Sequence, residues 1–127
     1  MRPALLAATL AAVAALALPA SASADVVRCT VGHYAPTLAH GKPEVSRLRA
    51  VNLPRRTDGY APRCLVAEAV AAEVKRAIQD TGERPAQVRA GGARWNGGRW
   101  NCAYEGARTV CRHAGTPSRR VKFRLGG

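Results

Sequence analysis

Hydrophobic and polar positions along the chain follow two rhythms. Between Pro62 and Gly82, the residues Cys64, Ala67, Val70, Ala71, Val74, Ala77 and Ile78 recur at 3.6-residue spacing, while Glu68, Glu73, Lys75, Arg76 and Gln79 avoid that stripe. Residues 63 to 80 contain no Gly or Pro, Pro62 suits a first helical position, and Gly82 suits a helix stop. The pattern predicts one amphipathic helix, with Cys64 on its buried side and the charged residues facing water.

The second rhythm has period two. In "RRVKFRLG" Val121, Phe123 and Leu125 alternate with Arg120, Lys122 and Arg124, so one face of a strand is apolar and the other cationic. Val26 to Val31 and Val45 to Leu53 are shorter β-prone runs, and "GHYAPTLAHGKPE" and "PRRTDGYAP" read as loop and turn. "NCAYEGARTVC" is symmetric about Gly106-Ala107. A two-residue turn there sets Glu105 against Arg108, Tyr104 against Thr109, Ala103 against Val110, and Cys102 against Cys111. At a non-hydrogen-bonded position of such a ladder the Cα atoms approach to about 4.5 Å, within reach of a disulfide. Cys102 therefore pairs with Cys111, and Cys29 with Cys64 by elimination. The expected fold class is α+β: one helix packed on an antiparallel β-meander of three to five strands, with two disulfides.

Continuing this register backwards places Trp100 on the face of Cys102 and Tyr104. In "RWNGGRWN" a Gly97-Gly98 turn sets Trp95 opposite Trp100, both inward, with Arg94 and Arg99 toward the rim. An Asn96-Gly97 turn instead frees Trp95 to stack on a base or a sugar.

The N-terminus changes the picture of where this fold resides. Arg2, the apolar stretch Ala4 to Leu18, Pro19, and Ala22-Ser23-Ala24 form the pattern of an export signal over residues 1–24. At about 15 residues the apolar run is short for a membrane span, which needs roughly 20. The expectation is a secreted, extracellular single domain over residues 25–127, with no transmembrane segment in the mature chain. An even set of four cysteines, all beyond the signal, agrees with two disulfides in a small exported domain.

Charge changes the picture of what it meets. The chain carries 20 Lys and Arg against 8 Asp and Glu, a net +12, and removal of the signal takes only Arg2 from that total. Such a balance favours anionic partners: nucleic acid, cell-wall polyanions or an acidic secreted protein. Seventeen of the 20 are Arg in an Ala-, Gly- and Val-rich chain, so part of the excess reflects codon bias. By the strand register, Arg94, Arg99, Arg112, Arg120, Lys122 and Arg124 share the solvated side of the sheet, a candidate anion-binding face.

The Cys opening an Ala/Val-rich helix (Cys64 to Ile78), the Trp-x-Cys strand (Trp100, Cys102), Val110 to Arg112, a basic Gly-containing turn, and the Val-x-Phe strand (Val121, Phe123) together resemble small secreted disulfide-containing proteins of actinobacteria. The resemblance covers about residues 45 to 125. It implies a secreted α+β domain and carries no particular activity.

Signals for catalysis are sparse. Glu105, Arg108 and His113 are the acid-base set from which a secreted ribonuclease-like hydrolase would be built, but His113 falls about 16 Å along the strand from the other two. "QVRAG", residues 87 to 91, resembles the Gln-x-Val-x-Gly loop of cystatins with Arg89 in the central place, and supports inhibition of an extracellular enzyme as another reading; a strand entering a Gly91-Gly92 bulge explains it equally. His33, His40 and His113 have no ligand spacing, and neither nucleophile motif nor phosphate loop is present, so no metal or cofactor is expected. The reading that results is a small basic secreted protein, non-enzymatic, that binds anionic polymers or surfaces.

Overall fold

The computed structural model describes residues 23–57, 61–90 and 98–126. Nearly all of the expected signal segment, and Gly91, Gly92, Arg94, Trp95 and Gly97, lie outside the described residues. In chain order the elements are β1 (Val26–Arg28), a 3₁₀ turn (Pro36–Ala39), β2 (Glu44–Val51), β3 (Arg56–Thr57), β4 (Ala61–Pro62), α1 (Arg63–Thr81), β5 (Gln87–Arg89), β6 (Arg99–Glu105), β7 (Arg108–His113) and β8 (Arg120–Gly126). Six strands form one antiparallel sheet in the order β1-β2-β8-β7-β6-β5, and β3 and β4 make a separate small ribbon. The class is the expected α+β, but the main sheet has six strands and not three to five. The excess comes at the sheet's two edges, where the short β1 and β5, three residues each, pair through backbone hydrogen bonds with β2 and β6.

The last strand does most to assemble the sheet. β8 lies between β2 and β7 and so joins the N-terminal strands to the C-terminal meander. Its alternation is as the sequence requires: Val121, Phe123 and Leu125 are buried, and Arg120, Lys122 and Arg124 are half-exposed. The inner face, with Val45, Leu48 and Ala50 of β2, Cys111 of β7, Trp100 of β6 and Val88 of β5, meets Val66, Ala67, Val70, Ala71 and Val74 of α1. Burying each large side chain there contributes about 1.5–3 kcal/mol. Gly82, in the left-handed region at φ +76°, ends the helix, its N–H donating to Ile78 O at 2.8 Å.

Both disulfides are those the register implied. Cys102 faces Cys111 across β6 and β7 with Cα atoms 4.0 Å apart, and Cys29 bonds Cys64 with Cα atoms 5.4 Å apart, tying the chain after β1 to the first turn of α1.

Two expectations on the helix change. Glu68 and Lys75, assigned to solvent, are buried. The segment from Gly32 to Gly41 wraps that side of α1. The Glu68 carboxylate accepts from the backbone N–H groups of Gly32, Tyr34 and Ala35 at 2.9–3.1 Å, and Lys75 Nζ donates to the carbonyls of Leu38, His40 and Gly41. A loop with no ladder partners thus has its backbone groups satisfied by two ionic side chains one heptad apart.

The Trp pairing also changes. Trp100 is buried, as the inward reading required, but its ladder neighbours are Val88 and His113. Trp95 and Gly97, on which the expected pair and turn depend, lie outside the described residues; β5 closes on β6 through Ala90 N–H to Gly98 O at 2.7 Å. Val88, β-branched and apolar, suits the inner face beside Trp100.

Candidate functional site: a cationic sheet face

Among the described residues no helix lies over the opposite face of the sheet, and its composition follows from the same alternation that built the core. Each strand that turns an apolar residue inward turns its neighbour outward, and in this chain that neighbour is usually Arg. Register then sets cations beside one another: Arg28 faces Arg49, Arg49 faces Lys122, Arg108 faces Arg124, Arg112 faces Arg120, and Arg89 faces Arg99. Partners across a ladder lie about 5 Å apart at Cα, and like charges so placed repel.

The face is not flat. β2 and β8 keep register from Glu44 to Ser46 and again from Arg49 to Val51, so Arg47 and Leu48 together oppose Phe123. This β-bulge turns both Val45 and Leu48 inward, which strict alternation forbids, and sends Arg49 outward. The extra residue is absorbed at Arg47, whose φ is +52°, a left-handed conformation that costs a non-glycine residue about 1–2 kcal/mol. Bulge and sheet twist leave a concavity of about 550 Å³ lined by Arg47, Arg49, Arg108, Arg112, Lys122 and Arg124. Its floor includes Ala103 and Val110, and among the described residues Glu105 is its one lining carboxylate. A second concavity of about 420 Å³, toward β1, shares Arg47 and Arg49 with the first and adds Arg28.

The electrostatics agree with the geometry. Partial burial, then the neighbouring Arg120, Arg49, Arg112 and Arg108, hold the Lys122 ammonium below the ordinary lysine value of 10.5. The ion pairs among the described residues, Arg63–Asp25 at 2.9 Å and Arg76–Glu73, involve none of the lining cations. The Nε–H groups of Arg49 and Arg120 are enclosed and have no acceptor. Among the described residues the face thus sets many cationic donors against the single lining carboxylate of Glu105.

Of the six cations expected from sequence, Arg112, Lys122 and Arg124 line the concavity. Arg120 stands beside it, opposite Arg112, and Arg99 is exposed on the same face by register but farther along β6. Arg94 lies outside the described residues. Sequence reasoning missed Arg47 and Arg49, and placed Arg108 only in the hydrolase set. The alternation of Val45 to Leu53 is broken at the bulge, and nothing in that run shows on which side of the break a residue falls.

The hydrolase constellation does not assemble. Glu105 and Arg108 are exposed at the β6–β7 turn on the outer face, whereas His113 is buried on the inner face, edge-to-face with Trp100 at 5.1 Å, its Nδ1 accepting from Thr116 N–H. Gln87 to Arg89 of the cystatin-like stretch form an edge strand with Val88 in the core, not a projecting loop. Among the described residues no group of three His, Cys, Asp or Glu could hold a metal ion, and no helix is long and apolar enough to cross a membrane. No protein-family model, curated protein or solved structure matches the chain, so this cationic face and its bulge are the ground on which a function is argued.

Proposed function

We propose that this is a small secreted, non-enzymatic domain that binds anionic polymers through the outer face of its sheet. The observation that carries the reading is the run of facing cations, Arg28–Arg49–Lys122 with Arg108–Arg124 and Arg112–Arg120 beside it, along two adjoining concavities whose described lining holds Glu105 as its one carboxylate. Repulsion within such a set is relieved by a bound polyanion, and displacement of that polymer's counterions favours association. Export is supported by the signal pattern over residues 1–24 and by the two disulfides, which persist in oxidising compartments.

The reading is tested by retention on immobilised heparin or RNA as salt is raised. The protein is expected to elute late, and the triple variant Arg112→Ala, Lys122→Ala, Arg124→Ala to elute far earlier, with its salt dependence on duplex DNA shallower by about one unit of slope per cation removed. Arg76→Ala, on the helix, is expected to leave elution nearly unchanged. Equal elution of the triple variant and the parent would overturn the assignment.

A further inference from the structure

Resting on that reading, we infer that the face takes a slim polymer of tetrahedral oxyanions, a phosphate chain without bases or bulky rings, lying across the strands from β1 to β7 and passing over the bulge at Arg47.

The path follows from the two concavities. Both are lined by Arg47 and Arg49, so they form one trough with Arg28 at the edge-strand end and Arg108 and Arg112 at the other. The trough crosses β1, β2, β8 and β7, roughly 15 Å at the usual strand spacing. A chain laid there meets cations in succession and not all at one point.

The chemistry of the charged group follows from how those cations approach. They are spread over three neighbouring strands and the bulge, so they surround a bound group and do not meet it along one line. A planar carboxylate presents two oxygens in one plane, whereas a phosphate presents acceptors out of plane as well, so several guanidinium forks engage it together.

The outward residues described on the six strands narrow the polymer. Polymers with bases are held in such grooves by stacking on aromatic side chains. Among the described residues the outward positions of the six strands carry no aromatic side chain, and the floor of the trough is Ala103 and Val110. Phe123, at the concavity's edge, is 2 % exposed and belongs to the core. Tyr104 also lines the concavity, but its hydroxyl donates to Pro85 O and its ring is already engaged by the Arg84 guanidinium, 5.3 Å from the ring centroid. Charge, a floor that includes Ala103 and Val110, and no free aromatic platform among the described residues suit a chain of phosphates joined directly or through small polyols.

Arg47 is the further binding residue this assigns. It occupies a bulge position that glycine fills most easily, yet it carries a long cation at the junction of both concavities.

Competition binding to the disulfide-intact protein tests the inference, with polymers matched in charge and ionic strength: long-chain inorganic polyphosphate, poly(glycerol phosphate), oligo(dT) and polyglutamate. Either phosphate chain is expected to bind at least roughly ten-fold tighter than polyglutamate and no weaker than oligo(dT), and whichever of the two binds tighter identifies the source. Arg47→Gly relieves the backbone conformation while removing the guanidinium. It should hold or raise stability and weaken both phosphate chains by about five-fold or more. Equal binding of all four polymers overturns the inference and leaves general polyanion binding standing. Tighter binding of oligo(dT) that is lost in Trp95→Ala overturns it in favour of base stacking. Failure of every polymer to bind overturns both readings.

Discussion

The two charged regions of this molecule obey opposite rules. Along α1, Glu68 and Lys75 are buried, and each is met by three backbone partners from the loop that wraps the helix. On the outer sheet face, Arg28, Arg49, Lys122, Arg108, Arg124, Arg112 and Arg120 face other cations, and none of the lining cations has an ion-pair partner among the described residues. A buried ion without partners would cost several kcal/mol, so the first region is structural because it is satisfied. The second persists because water screens it, and it retains donors for a partner from outside. Charge by itself therefore does not separate the two regions; the presence of internal hydrogen-bond partners does.

The contrast is sharpest between neighbours on one strand. Phe123→Ala is expected to destabilise by about 3–5 kcal/mol, because the ring is the largest fully buried side chain, whereas Lys122→Ala should stay within roughly 0.5 kcal/mol. Chemical denaturation of the two variants checks this, and a large loss at Lys122 would show that the outer face is structural. A smaller effect is expected at the carboxylates. Glu68→Ala leaves three N–H groups without acceptor and should cost about 3 kcal/mol, against nearly nothing for the exposed Glu105→Ala. Comparable costs at both positions would erase the distinction between the regions.

The smallest effect is one of pH. Because Lys122 sits below 10.5 in the folded protein, the unfolded chain binds its proton more readily, and that difference works against folding at neutral pH. It disappears as pH rises through the lowered folded value toward the unfolded one. Lys122→Met should therefore be slightly more stable than the parent at pH 7, with the advantage shrinking toward pH 10 as the parent gains stability. An advantage independent of pH would assign the change to packing. Tyr104 acts oppositely near that limit: burial, only partly offset by Arg84, pushes its phenol to about 12, so its contribution is lost between 10 and 12. The comparison with Lys122→Met isolates the ammonium because Tyr104 is common to both chains.

Much of the fold was legible because it rests on local chemistry. The alternation of Val121, Phe123 and Leu125, the Gly106-Ala107 symmetry with its Cys102–Cys111 bond, and the stop at Gly82 each lie within one element or one hairpin. What was not legible depended on partners distant in sequence. The Trp-rich repeat suggested that it folded on itself, yet Trp100 took Val88 as its neighbour. The helix stripe marked Glu68 and Lys75 as outward, and only the Gly32-to-Gly41 segment made their burial tolerable.

The candidate site divides in the same way. The amino-acid sequence by itself determined that Arg120, Lys122 and Arg124 would stand on one side of a strand, because side chains alternate with period two whatever the neighbours are. Tertiary structure alone decided that β8 lies between β2 and β7, and this sets Arg49 against Lys122 and Arg108 against Arg124. It also decided that one extra residue at Arg47 bends β2 and draws Arg47 and Arg49 into the trough. Alternation is a property of the backbone of each strand, whereas strand order and bulge position follow from how the inner face packs against α1, and that packing involves the whole chain.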